Sequence, residues 1–335
     1  MRKILLVLLL VFSVGCSNKD NKPIKESKPI KEETKVEKKI EKNNYVSYNG
    51  NLKVNDVNLV NQYDEIVQLR GISTHGLQWY SKFANIEVMK KLKNWGVNVF
   101  RIAMYTEENG YIANNSLKEK VKEIVEYAKE LDMYVIIDWH ILSDNNPNIH
   151  KEEAKKFFEE MSSYYKNTPN IIFEICNEPN GNTKWEDIKN YAEEIIPIIR
   201  KNSNNVIIVG TPTWSQDVDL VTKLDDKNTM YALHFYSGTH KKNLRDKVDK
   251  ALANKIPIFV SEFGVSDASG NGGVYLDEAK VWLDYLNNKK ISWINWSLSD
   301  KNESSALLLP NSDNDIDNHL SKSGKFIKEQ IKNRN

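Results

Sequence analysis

The stretch IIFEICNEPN (171–180) decides how this chain reads. Its apolar run stops abruptly at Asn177, Glu178 and Pro179. An apolar run of that length, bounded by turn residues, reads as a buried strand. A carboxylate where such a strand meets its loop stands at the rim of the sheet. In barrels of alternating strands and helices, that rim collects the chemistry. A second stretch, PIFVSEFG (257–264), repeats the arrangement, with Glu262 closing the apolar run 258–260.

Outward from these two stretches, apolar strand-like pieces alternate with helix-like segments. Strands are expected at 67–73, 98–104, 133–139, 171–176, 206–209, 230–235, 257–260 and 291–296. Helices are expected at 86–95, 117–131, 152–165, 185–201, 244–254 and 276–288, with Pro197 bending the fourth or shifting its register. Such alternation argues for a parallel sheet covered by helices. About eight repeats over roughly 270 residues fit an α/β fold of the closed (β/α)8 TIM-barrel type. A doubly wound open sheet fits less well, because no Gly-rich phosphate turn follows an early strand. Ahead of the repeats, residues 45–67 hold short alternating pieces such as LKVNDVNLV (52–60), which read as an N-terminal β-hairpin.

The formal net charge is +1 at pH 7, so no strong field draws the chain toward nucleic acid. Cys16 and Cys176 are the only cysteines, which excludes a disulfide framework and a cysteine-based zinc site. Cys176 alternates with Asn177 and should point away from the rim, with no activating histidine paired to it. Arg2 and Lys3 precede the apolar run 4–12, which closes in SVGC (13–16). This segment is too short to span a bilayer and has the shape of a signal peptide. It resembles a bacterial lipoprotein signal with Cys16 as the lipidated residue, although Ser13 stands where that pattern usually has leucine. An ordinary secretory signal is the alternative. Residues 17–43 repeat KPIKE and mix Lys with Glu, a composition that reads as a solvated tether. The expected organisation is thus a signal (1–16), a tether (17–43) and a barrel (44–335), outside the cytoplasm and either surface-anchored or secreted.

The strand ends share one chemistry. The first strand is followed by His75 and Trp79; the second carries Arg101 and is followed by Tyr105. The third ends in Asp138-Trp139-His140, the fourth leads to Asn177-Glu178, and Trp214 follows the fifth. The sixth bears His234 and Tyr236, the seventh Glu262 and the eighth Trp296. A lone buried histidine or tyrosine is usually a satisfied core residue. Here the shared end of the repeat makes the set informative. Paired glutamates suit cleavage of a sugar bond: one stays protonated through burial and a nearby anion, the other stays ionised because Arg and hydroxyl donors beside it keep its pKa low. Aromatic faces supply stacking surface for pyranose rings.

Eight blocks carry a resemblance: LRGISTHGLQW, GVNVFRIAMY, VIIDWH, IFEICNEPNG, TPTWSQDV, YALHFYSGTH, PIFVSEFG and SWINWSLSDKNESSALL. In this order they resemble glycoside hydrolase family 5, most closely its bacterial endo-β-1,4-glucanases, from about residue 49 onward. The resemblance implies Glu178 as acid/base and Glu262 as nucleophile of a retaining reaction. It implies that Asn177 holds the sugar 2-hydroxyl, and that Arg101 and Tyr236 keep the nucleophile charged and oriented. His234 stands beside the acid/base, His140 is a further donor and Trp296 a stacking platform. His75, Trp79, Tyr105, Trp214, Lys301 and Glu303 match flanking subsites, with core packing as the alternative for Trp79 and Trp214. A non-proline cis peptide at Trp296–Ser297 is also implied. The resemblance calls for no cofactor and no metal. The partner is a polysaccharide or oligosaccharide, with membrane contact only through Cys16, and the chain is expected to be a monomer.

Asp313, Asp315 and Asp317 alternate as in a calcium loop, but Asn318 and Gly324 replace the glycine and closing acid it needs. They read as an acidic loop leading into the last helix. Related activity on mannan, xyloglucan or mixed-linkage glucan, or a non-catalytic glycan-binding barrel, are the competing functions.

Overall fold

In the computed structural model, residues 42–334 are described. The signal, lipidation at Cys16 and the tether up to residue 41 lie outside the described residues. Two short strands, β1 (Lys53–Asn55) and β2 (Asn58–Val60), pair antiparallel as the expected hairpin. Eight parallel strands follow: β3 (Arg70–Thr74), β4 (Val99–Tyr105), β5 (Tyr134–His140), β6 (Ile171–Glu174), β7 (Ile207–Val209), β8 (Thr229–Tyr236), β9 (Ile258–Gly264) and β10 (Trp293–Leu298). They close in the order β10-β3-β4-β5-β6-β7-β8-β9, a (β/α)8 barrel.

The six expected helices form within two residues of their expected ends, and Trp185–Arg200 runs through Pro197 as one helix. Local chemistry sets the ends of the helix Ile86–Trp95. The Asn85 side chain caps its first turn by accepting from the Val88 N–H, and Gly96, at φ 106°, ends it in the left-handed region. After β7 only a short turn, Pro212–Ser215, and a 3-10 turn, Val218–Leu220, stand in place of a full helix. Lys322–Lys332 closes the chain, and Asp313, Asp315 and Asp317 are spent on His319, Lys91 and Lys328 rather than gathered into a cation loop.

Strand periodicity stacks the barrel interior in layers. Val99, Ile136, Ile172, Ile208, Ala232, Phe259 and Ile294 make an apolar lower layer, sealed from below by Leu52 and Leu59 of the hairpin region. Two residues further along their strands come Arg101, Asp138, Glu174 and His234, all buried. Higher still are Ala103, Tyr105 and Trp296. The opposite strand faces, such as Ile102, Ile137, Phe173 and Phe263, pack under the helices.

β6 ends at Glu174, two residues short of its expected end, and Glu178 stands on the loop that follows. One expectation is corrected: β9 continues to Gly264, so Glu262 lies inside a strand rather than at its end. Strict alternation from the inward Phe259 would also turn Glu262 outward. A register shift intervenes: Ala232 pairs with Phe259, but His234 pairs with Glu262. That one-residue bulge re-aims the carboxylate into the barrel.

Gly71 lets β3 fit between its neighbours, since a Cβ there would lie 2.3 Å from the Val99 carbonyl oxygen and 2.7 Å from Ile294 Cδ1. Gly71→Ala should destabilise the fold by about 1–3 kcal/mol, read as a lower urea midpoint. An unchanged midpoint would contradict this packing.

Candidate active site

Arg101 is fully buried at the centre of the charged layer. Its Nε donates to Glu174 Oε2 at 2.7 Å and its Nη1 to Glu262 Oε2 at 3.1 Å. Its Nη2 donates to Asn177 Oδ1 at 2.7 Å and lies 3.0 Å from Asp138 Oδ2. Burial opposes the guanidinium charge, and Asp138, Glu174 and Glu262 more than restore it, so its pKa is raised. Glu174 is pulled down to about 2: burial opposes ionisation, and Arg101 with His234 prevails.

The Arg101 contact fixes the Asn177 amide, because its oxygen must face the guanidinium. Its Nδ2 then donates to Ile141 O at 3.1 Å and to His140 Nε2 at 3.2 Å. An accepting Nε2 places the His140 proton on Nδ1, 2.6 Å from Asp138 Oδ2. Burial, with Arg101 nearby, keeps this imidazole neutral, well below its usual range. His140 therefore turns an acceptor toward Asn177.

His234, by contrast, is charged. Its Nδ1 lies 2.8 Å from Glu178 Oε1 and its Nε2 2.9 Å from Ser261 Oγ. Burial would depress the imidazolium, but the Glu174 carboxylate 3.8 Å from Nε2, the bond to Glu178 and the charge of Glu262 push it up to about 9. At neutral pH both ring nitrogens thus donate. Tyr236 Oη, whose ionisation burial and Glu262 suppress, donates to Glu262 Oε1 at 2.7 Å. The expectation that donors hold Glu262 below the usual glutamate range is corrected. Burial is the larger effect and raises it, while His234, Arg101 and Tyr236 only pull back.

Glu178, His234 and Glu262 present atoms that all lie within 4.8 Å of one another. Such a set could grip a cation, but a protonated His234 has no lone pair to offer, and both glutamates already accept hydrogen bonds. Above them opens a cavity of about 710 Å³. It is lined by every residue the sequence singled out for the site except Arg101 and Asn177, which lie beneath its floor. On one side His75, Trp79, Tyr105, His140 and Trp296 form a chain of ring contacts with centroids 4.1–6.2 Å apart. Burial and the charge of Lys301 hold His75 neutral, pushed down to about 3, with its Nδ1 accepting from the Gly76 N–H. Trp79 and Trp214 are 46% and 45% exposed, which rules out core packing for both. Lys301 and Glu303 pair at 2.6 Å on the rim. The Trp296–Ser297 peptide is cis.

The strand-end pattern does not mark Glu174 or Ser261, which hold Arg101 and His234, and it gives no role to Asp138, which meets Arg101 and His140. A charged residue inside an otherwise apolar strand was the available signal for Glu174. Glu108, Gln216, His240 and Ser269 also line the cavity and sit on loops with no periodic signal. Cys176 is buried, and burial raises its thiol pKa, so it stays an inert thiol.

Known proteins resemble this chain in sequence and in fold. Residues 60–302 match the family model described as cellulase (glycosyl hydrolase family 5). The chain is 57% identical over 275 residues to endoglucanase A of Evansella cellulosilytica, covering 79% of this chain and 56% of that protein. It is 55% identical over 294 residues to an endoglucanase of Clostridium saccharobutylicum, covering 85% and 66%. The structure of cellulase Cel5C_n superposes with a TM-score of 0.83 at 44% identity, covering 85% of this chain and 93% of that one. The catalytic domain of Thermobifida fusca endoglucanase Cel5A, in complex with cellotetraose, gives 0.81 at 32% identity, covering 85% and 98%. The matches span only 56% and 66% of the two curated relatives.

A folded-state pKa of about 9 against an ordinary 6.5 makes His234 a stabilising cation. That stability is complete below pH 6.5 and lost as pH rises through about 9. The melting temperature should fall over this window, and His234→Gln should flatten the fall. An equally steep fall in the variant would contradict the assignment.

Proposed function

This chain belongs to glycosyl hydrolase family 5, and on that premise we propose that it is an endo-acting, retaining β-1,4-glucanase. The observation that carries the reading is the approach of the Glu178 and Glu262 carboxylates to within 4.8 Å in one cavity. Retaining glycosidases hold their carboxyls about 5–5.5 Å apart, whereas inverting ones leave about 6.5–9.5 Å for a water.

In the first step Glu262 attacks the anomeric carbon as its bond to the leaving oxygen breaks. Glu178 gives its proton to that oxygen, and the His234 imidazolium supports the carboxylate left behind. The glycosyl ester on Glu262 removes one negative charge from beside Glu178. In the second step Glu178 takes a proton from water, the water oxygen bonds to the anomeric carbon, and the ester bond breaks. Arg101 and Tyr236 stabilise the returning Glu262 carboxylate against the cost of its burial. Asn177, just beneath the floor, is assigned the sugar 2-hydroxyl, which replaces one of its present amide partners when the sugar binds.

The aromatic chain of His75, Trp79, Tyr105 and Trp296 on one side of the cavity and Trp214 on the other suits a glucan running across the mouth, which favours internal cleavage. Cellotetraose in the related catalytic domain supports the same substrate class. The N-terminal pattern supports a place outside the cytoplasm, with Cys16 as a lipid anchor, and we read the protein as a monomer. Among the described residues no helix is long and apolar enough to cross a membrane.

Wild type should cleave carboxymethylcellulose in preference to mannan and xyloglucan. Glu178→Gln and Glu262→Gln should each lower the rate at least about 10²-fold. Preference for mannan or xyloglucan would overturn the glucan assignment, and equal, negligible activity of wild type and both variants would favour a non-catalytic glycan binder.

A further inference from the structure

We propose that Ser215 is a positioning residue that locks the Trp214 platform to the segment bearing Glu178, so that the chain on the leaving-group side is held in register with the proton donor. This rests on the glucanase reading above.

The turn after β7 is unusual in its backbone. Thr213, Trp214 and Ser215 have φ of 58°, 53° and 55°, three consecutive non-glycine residues in the left-handed region. L side chains rarely adopt that conformation even singly, and it persists only where the surroundings impose it. Here the imposing contacts are identifiable. Ser215 Oγ accepts from the Thr211 N–H at 3.1 Å and donates to the Asn177 carbonyl at 2.7 Å. The Trp214 N–H donates to the Pro179 carbonyl at 3.0 Å. The turn therefore grips the carbonyls on both sides of Glu178. Gly210 permits the approach, since a Cβ there would lie 2.4 Å from the Cys176 carbonyl oxygen. On the outer side Thr213 Oγ1 donates to Asp217 Oδ2 at 2.6 Å, and Lys247 pairs with the other oxygen of Asp217.

The placement of Trp214 gives the tether its purpose. In the closed strand order β7 lies four strands from β3 in either direction, so Trp214 faces Trp79 across the mouth. His75, Trp79, Tyr105, His140 and Trp296 contact one another on the β10-β3-β4-β5 side. Trp214 instead shares its mounting with Glu178, the group that protonates the leaving oxygen. A sugar stacked on Trp214 is thereby fixed relative to that proton. Losing the Ser215 hydroxyl frees the turn to relax toward right-handed geometry and carries the indole away.

The test compares two substrates in the full-length protein. Cellopentaose fills both sides of the cavity; β-cellobiosyl fluoride has no ring to stack on Trp214 and a leaving group that needs little protonation. Ser215→Ala should lower kcat/KM on cellopentaose about ten-fold or more, with the loss on the fluoride at least about ten-fold smaller. In a Trp214→Ala background, Ser215→Ala should cost less than about two-fold. Asp217→Ala, on the outer side of the turn, should show the same substrate split and serves if Ser215→Ala fails to fold. Equal losses on both substrates, no loss on cellopentaose, or a full Ser215→Ala cost without Trp214 would overturn the proposal. A folded wild type that leaves cellopentaose intact would instead overturn the glucanase reading.

Discussion

One buried guanidinium organises the mouth of this barrel. Arg101 on β4 reaches Asp138 on β5, Glu174 on β6, Asn177 beyond β6 and Glu262 on β9. Burying so many charges is expensive unless geometry and hydrogen bonding are nearly complete. The planar fork of an arginine can meet several acceptors in fixed directions, which the single-point charge of a lysine cannot. The pose of each acceptor follows from the donor it faces. Glu262 is aimed by Nη1 and Tyr236, Asn177 by Nη2, and through Asn177 the tautomer of His140.

The charges around Arg101 are sorted by burial and by neighbours rather than by residue type. His140 and His234 end in opposite states, since burial and Arg101 act on the first while Glu174, Glu178 and Glu262 surround the second. Asp138 and Glu174 are direct register partners on adjacent strands, a like-charge pair side by side. Burial pushes Asp138 well above its usual range, while Glu174, bonded to the guanidinium Nε, stays ionised. Pairs of titratable groups driven apart in this way mark acid/base assignments in enzyme sites. The pair that matters for chemistry, Glu178 and Glu262, sits directly above this layer.

Much of this was legible in the sequence. The alternation of apolar runs and amphipathic segments gave the barrel and nearly all its element ends, because buried parallel strands have a strong compositional signal. The rim residues from His75 to Trp296 were legible too, because they end or follow strands at one end of each repeat, whereas Lys301 and Glu303 came from the family resemblance alone. Three features were not. The bulge that turns Glu262 inward depends on the pairing of β8 with β9, which no periodicity in β9 alone reveals. The balance of burial against Arg101 at Glu262 depends on a depth that strand patterns do not report. The left-handed turn at Trp214 contains no glycine to announce it, and it is held by carbonyls some 35 residues earlier in the chain.

The central claim is that Arg101 and Tyr236 present Glu262 as a nucleophile within reach of the same sugar that Glu178 protonates. Incubation with 2-deoxy-2-fluoro-β-cellobiosyl fluoride, followed by intact-protein mass spectrometry and peptide mapping, tests it directly. The account predicts one fluorocellobiosyl adduct per chain, located on Glu262 and absent from Glu262→Gln. An active enzyme that forms no adduct, or carries it on another residue, would contradict it.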